Sequence, residues 1–160
     1  LTPEVEHKQP GIVAICYEGL PWFTGAAIFT VSLPNMEILM VLSLYALGAH
    51  GIMTMNDFKA TKGDKLLGVN SLPVILGSKS ATLVACLIML CPQLIVISLF
   101  FFWGFSILVA TLAVCVLLQG LAMIFLIRDP EKNTPFFNMT GVLLYIIGMM
   151  LSANGLYLMN

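Results

Sequence analysis

The one dense polar run in this 160-residue chain is Asn56-Asp57-Phe58-Lys59-Ala60-Thr61-Lys62-Gly63-Asp64-Lys65, in which five of the nine positions from Asp57 to Lys65 are charged. Asp57 and Asp64 are seven residues apart, so a helix continuing through them would carry both on one face, two turns apart. Paired carboxylates of this kind suit Mg²⁺, which takes one or two carboxylates together with substrate phosphates and keeps several waters. Lys59, Lys62 and Lys65 are placed to neutralise a diphosphate, with an apolar cleft among helices to hold its greasy tail. A plainer reading stays open at this point: a charged loop whose lysines set the orientation of the chain in a membrane.

Two further ionisable residues interrupt apolar sequence. Glu18 lies in Tyr17-Glu18-Gly19-Leu20-Pro21-Trp22, about seven residues into its run, and Pro21 would kink or open a helix there. His50 lies inside the next run. Such groups are costly in hydrocarbon and point either to function or to hydrogen-bonded helix glue. For His50 there is a third possibility, axial ligation of a tetrapyrrole metal. Glu37, at the mouth of its run, reads as interfacial.

The elements that must position these residues follow from composition. The chain is 59% hydrophobic and only 9% charged, with a mean hydropathy of +1.00. A soluble domain carries roughly 25% charged residues, and one this small could not hide so much apolar surface. Seven basic against eight acidic residues, net −1, exclude a nucleic-acid binder. The chain therefore reads as an all-α polytopic membrane protein. Five apolar runs, at about 11–32, 36–55, 81–102, 104–127 and 139–159, are each long enough to cross the hydrocarbon as a helix. The runs lack the strict alternation of barrel strands. The polar first ten residues and the length of the first run argue against a cleavable signal peptide. The organisation expected is a cytoplasmic segment over 1–10 and a five-helix transmembrane domain over 11–160, with the acidic loop at 56–80.

Five spans put residues 1–10, the loop 56–80 and the loop 128–138 on one side. All seven basic residues fall there: Lys8, Lys59, Lys62, Lys65, Lys79, Arg128 and Lys132. The positive-inside rule makes that side cytoplasmic, with the N-terminus inside and the C-terminus in the periplasm. Arg128, Asp129, Glu131 and Lys132 read as a solvated mixed-charge loop, and Pro92-Gln93 as a kink with a local hydrogen-bond partner. Gly141, Gly148, Ser152 and Gly155, and likewise Ala46, Gly48, Ala49 and Gly51, form smooth faces for close helix approach. Cys16, Cys86, Cys91 and Cys115 all lie in apolar sequence without a CxxC pair and suggest neither a disulfide nor a zinc site.

Cys16-Tyr17-Glu18-Gly19-Leu20-Pro21-Trp22-Phe23-Thr24-Gly25 resembles a signature stretch of the bacteriochlorophyll and chlorophyll synthases. So does Gly48-Ala49-His50-Gly51-Ile52-Met53-Thr54-Met55-Asn56-Asp57-Phe58-Lys59, continuing through Gly63-Asp64-Lys65 and Leu67-Gly68 to Ser71-Leu72-Pro73-Val74. Asn138-Met139-Thr140-Gly141-Val142 with Leu144-Tyr145 is similar to that family's last helix. The resemblance covers about residues 11–158. It implies the intramembrane aromatic prenyltransferase superfamily: nine helices around a cytoplasm-facing cavity, and Mg²⁺-dependent transfer of a geranylgeranyl or phytyl group from its diphosphate to the propionate of (bacterio)chlorophyllide. Asp57 and Asp64 match the second of two acidic motifs. The site so implied takes Asp57, Asp64, Lys59 and Glu18 as catalytic residues, Asn56, Lys65 and His50 as substrate- or cofactor-binding residues, and Asp57 and Asp64 as metal ligands.

The first acidic motif, of the form NDxxDxxxD, and the four helices that carry it are not in this sequence, and residues 1–10 do not resemble the corresponding family segment. The expectation is the second half of a nine-helix fold, nearly inactive by itself, whose partners are other transmembrane helices, lipid, an isoprenoid diphosphate and a bacteriochlorophyll pigment. Two alternatives remain at this stage: a catalytically inactive paralogue serving as a structural subunit of a photosynthetic reaction-centre–light-harvesting complex, and a small membrane scaffold or transporter fragment unrelated to pigment.

Overall fold

The computed structural model describes residues 16, 19–30 and 33–159. Seven helices account for nearly all of them, with no strand among the described residues: α1 (Leu20–Thr30), α2 (Met36–Asp57), α3 (Thr61–Leu67), α4 (Leu72–Leu76), α5 (Ser78–Phe102), α6 (Ser106–Arg128) and α7 (Pro130–Met159). Four of these, α2, α5, α6 and α7, are long and apolar enough to cross a membrane. The fold is therefore an all-α polytopic membrane protein. The first apolar run, 11–32, lies only partly inside the described residues, where it contributes the eleven residues of α1. The segment 1–10 and Glu18 lie outside them.

Local chemistry explains the helix boundaries. Asn35 starts α2, its side-chain oxygen accepting the Ile38 amide at 3.0 Å, and so satisfies one of the orphan donors of the first turn. Gly68 (φ 70°) stops α3 and Gly104 (φ 84°) turns the chain between α5 and α6, both in the left-handed region that favours glycine. Pro92 sits inside α5, where its ring removes one rung of the ladder. The neighbouring Gln93 amide donates to the Met89 carbonyl at 3.0 Å, the local partner expected of this pair.

The last span differs from expectation. It begins at Pro130, not near 139, so most of the anticipated loop 128–138 is helical. Proline pre-sets φ for a first helical turn, the Asp129 carboxylate accepts the Lys132 amide at 3.3 Å, and the Asn133 side chain donates back to the Phe125 carbonyl at 2.7 Å. Only Asp129 separates α6 from α7. The expected loop 56–80 likewise contains α3, α4 and the first turn of α5.

Packing runs in two antiparallel pairs, α2 on α5 and α6 on α7, joined by contacts of α5 with α6 and of α2 with α7. Glycine permits the closest approaches. A side chain at Gly51 would meet the backbone carbonyl of Ala85 on α5, one at Gly48 the Tyr145 hydroxyl on α7, and one at Gly155 the side chain of Leu108 on α6. Gly141 instead makes room for Phe137 of its own helix. The small-residue faces marked for close helix approach thus meet other helices of this chain at Gly48, Gly51 and Gly155. A polar seam crosses this core: Tyr145 donates its hydroxyl to the Tyr45 carbonyl at 2.6 Å, and Tyr45 and Ser152 hydroxyls lie 2.9 Å apart. Since Ser152 donates to Gly148 within its own helix, Tyr45 is the donor of that pair. Trp22 of α1 stacks on Tyr45 at 5.8 Å between ring centroids.

Candidate active site

The acidic run sits where α2 ends. α2 carries helical backbone through Asn56 and Asp57, and the chain then turns over 58–60 before α3 starts at Thr61. The continuous helix expected through Asp57 and Asp64 is therefore broken. Asp64 belongs to a separate short helix, across the turn from Asp57 and not on one continuous helical face with it. The Thr61 hydroxyl ties the corner, within 3.2 Å of the Asp57 carbonyl and 3.1 Å of the Phe58 carbonyl. The Phe58 ring, only 5% exposed, is buried in the main apolar core and pins the turn from below. An apolar residue inside a run of charges was the sequence signal for this anchor, and it was not singled out.

The arrangement is asymmetric in exposure. Asp57 and Asp64 are half-buried, whereas Asn56, Lys59, Lys62 and Lys65 are exposed. Asp57 lies within electrostatic range of both Asp64 and His50, which places the three in one neighbourhood. His50 is two turns back along α2, half-buried, with its Nδ1 atom enclosed and without a hydrogen-bond partner. The structure thus brings together Asp57, Asp64 and His50, with Lys59 and Lys65 on the same turn-and-helix unit. Glu18 lies outside the described residues.

The donor set fits a metal held jointly with a substrate and not a self-sufficient metal cage. No group of three or more His, Cys, Asp or Glu side chains that could hold an ion occurs among the described residues. Two half-buried carboxylates within electrostatic range of each other, with lysines nearby, would leave most of an Mg²⁺ coordination sphere to phosphate oxygens and water, the usual arrangement for that ion.

Comparison with known proteins adds the ancestry of this unit. Residues 11–155 match the UbiA prenyltransferase family. The chain is 51% identical over 144 residues to the bacteriochlorophyll synthase 33 kDa chain of Cereibacter sphaeroides, covering 90% of this chain and 48% of that protein. It is 43% identical over 145 residues to the bacteriochlorophyll synthase 34 kDa chain of Chloroflexus aurantiacus, covering 91% and 46%. With the chloroplastic chlorophyll synthase of Oryza sativa it shares 39% identity over 85 residues, half of this chain and 22% of that one. The chain spans about half the length of the bacteriochlorophyll synthases it matches. No solved structure matches it. The match runs through the carboxylate-bearing corner and all four long helices, so the chain belongs to the UbiA prenyltransferase family.

Proposed function

We propose that this chain supplies the second acidic half-site of a membrane prenyltransferase that transfers a geranylgeranyl or phytyl group from its diphosphate to the carboxylate of a chlorophyllide-type pigment. The observation that carries the reading is the corner at the end of α2, where two half-buried carboxylates on separate helices stand beside lysines at the edge of an otherwise apolar bundle. The similarity to proteins named bacteriochlorophyll synthase supports the choice of acceptor.

In this reading Asp57 and Asp64 would hold Mg²⁺ and with it the diphosphate, and Lys59 and Lys65 meet the remaining charge of the diphosphate. Asn56 offers a neutral donor beside them. When bound there, the metal would supply neutralisation of charge on the diphosphate as it leaves. The acceptor carboxylate oxygen forms a bond to the first prenyl carbon while the bond from that carbon to the diphosphate oxygen breaks, its electron pair leaving with the diphosphate. Preorganised cations that meet this charge without reorganising lower the barrier most. The lysine-rich side of the bundle faces the cytoplasm, and the C-terminus faces the periplasm.

The test uses membranes containing the natural protein that includes this chain, supplied with chlorophyllide, geranylgeranyl diphosphate and Mg²⁺. Esterified pigment is the expected product. Asp57→Asn should lower turnover by about two to three orders of magnitude, the scale of losing one preorganised electrostatic contact. Unchanged turnover in that variant would remove Asp57 from the site. No turnover in the unaltered protein would sink the reaction itself.

A further inference from the structure

α2 carries more than the acidic corner. Met36, Met40, Ser43 and Leu47 are its exposed positions on one stripe at the helical period, and half-buried His50 stands at the inner end of that stripe. The opposite side of the helix, with Val41, Tyr45 and Ala49, is packed into the core; past His50, Gly51 packs on Ala85 and Thr54 is buried, so the open stripe closes before Asp57. His50 is therefore the ionisable group at which the open stripe ends, two turns before Asp57.

Its ring is only partly accommodated. Nδ1 is enclosed without a partner, and the Thr54 hydroxyl binds the His50 backbone carbonyl, not the ring. A neutral imidazole carries one N–H and one lone pair. A buried N–H without an acceptor is the rarer and costlier orphan, so the proton belongs on Nε2, which is not enclosed in this way. The open stripe thus presents an N–H donor seven residues from Asp57, about 10 Å along the helix axis. A donor at membrane depth is costly unless something accepts from it.

We propose that His50 Nε2 donates a hydrogen bond to the carboxylate of the acceptor and holds it in line with the first prenyl carbon. This rests on the prenyl-transfer reading above. With the diphosphate end of the donor held at Asp57, the interval of about 10 Å to His50 leaves room for the C–O bond that breaks and for the attacking carboxylate beyond it. The step needs no proton transfer: the carboxylate attacks as an anion, one C–O bond forms, and the other breaks with its pair leaving on the diphosphate. A donor, not a base, is what the acceptor requires, and His50 is an acceptor-binding residue.

The test reads binding, not turnover, on membranes containing the natural protein, by titrating chlorophyllide and following its absorbance. His50→Leu should weaken binding of the free acid about tenfold or more, the scale of a hydrogen bond to a charged group. The same variant should leave binding of the chlorophyllide methyl ester unchanged, and His50→Gln, which keeps an N–H donor, should restore most of the loss. The magnesium-free acid should show the same loss as the magnesium form. Equal binding of the acid by the unaltered protein and His50→Leu would overturn the proposal, as would parallel loss of acid and ester. A loss confined to the magnesium form would overturn it too, assigning His50 to the ring metal. Acid binding that depends on His50 in a protein that forms no ester would sink the reaction proposed above and leave this site standing.

Discussion

Buried polar side chains in the bundle fall into two kinds, and the difference decides what each does. Tyr45, Tyr145, Ser152 and Gln93 all find partners on the backbone or on each other. Gln119, fully buried on α6, finds none among the described residues for either atom of its amide. An enclosed amide without partners costs roughly 1–3 kcal/mol by mutational measures. Gln119→Met keeps the length of the side chain and removes both orphaned atoms, so it should raise stability by about 1–3 kcal/mol. Denaturant titration in detergent checks this, and a loss of stability would mean that Gln119 has a partner in the assembled protein. Gln119 was invisible as a special position in the sequence. Its neighbours Leu117, Leu118 and Leu121 place it in apolar sequence, but only tertiary packing shows which amide is satisfied.

At the scale of elements, the corner between α2 and α3 carries the most information. That Asp57 and Asp64 lie within electrostatic range of each other was legible from residue type and spacing, but the helix assumed to align them was not what formed. Gly63 inside the short α3 and Gly68 at its end weaken any continuous helix there. The turn is instead stabilised by a side chain, Phe58, whose burial depends on helices distant in sequence. Phe58→Ala should cost about 3 kcal/mol as a buried aromatic truncation. It should also raise the diphosphate concentration needed for half-maximal turnover more than it lowers the maximal rate, because the carboxylates remain but their spacing loosens. Steady-state kinetics with varied diphosphate separates the two effects. The start of α7 was misplaced for the opposite reason. Charged and proline-containing sequence from Arg128 to Pro135 reads as a loop, yet proline is compatible with the first helical turn, and Asp129 and Asn133 cap and clamp that turn.

At the scale of the whole molecule, the membrane class and the order of the long helices were written in hydropathy, because burial in lipid demands long apolar helices whatever packs beside them. The proposed sidedness rests on charge alone, since a five-span reading puts every lysine and arginine on segments of one side. Which faces the helices turn toward each other was not legible, because small residues mark close approach without naming the partner. The orientation makes a direct prediction. In a cysteine-free background, Lys132→Cys should react with a membrane-impermeant thiol reagent only from the cytoplasmic side, and Gly104→Cys only from the periplasmic side. The reverse pattern would invert the assigned topology.

The one-residue connection between α6 and α7 bears on how the protein is made. The two helices touch along their length, and Asn133 reaches back to Phe125 across the turn. Contacts this close in sequence can form as soon as both helices have left the ribosome, without waiting for any distant segment. The α6–α7 hairpin is thereby suited to enter the bilayer as a preassembled unit. The α2–α5 pair spans the intervening α3 and α4, yet all four helices precede α6 in the chain, so the corner that carries the two carboxylates can take shape before the hairpin is made.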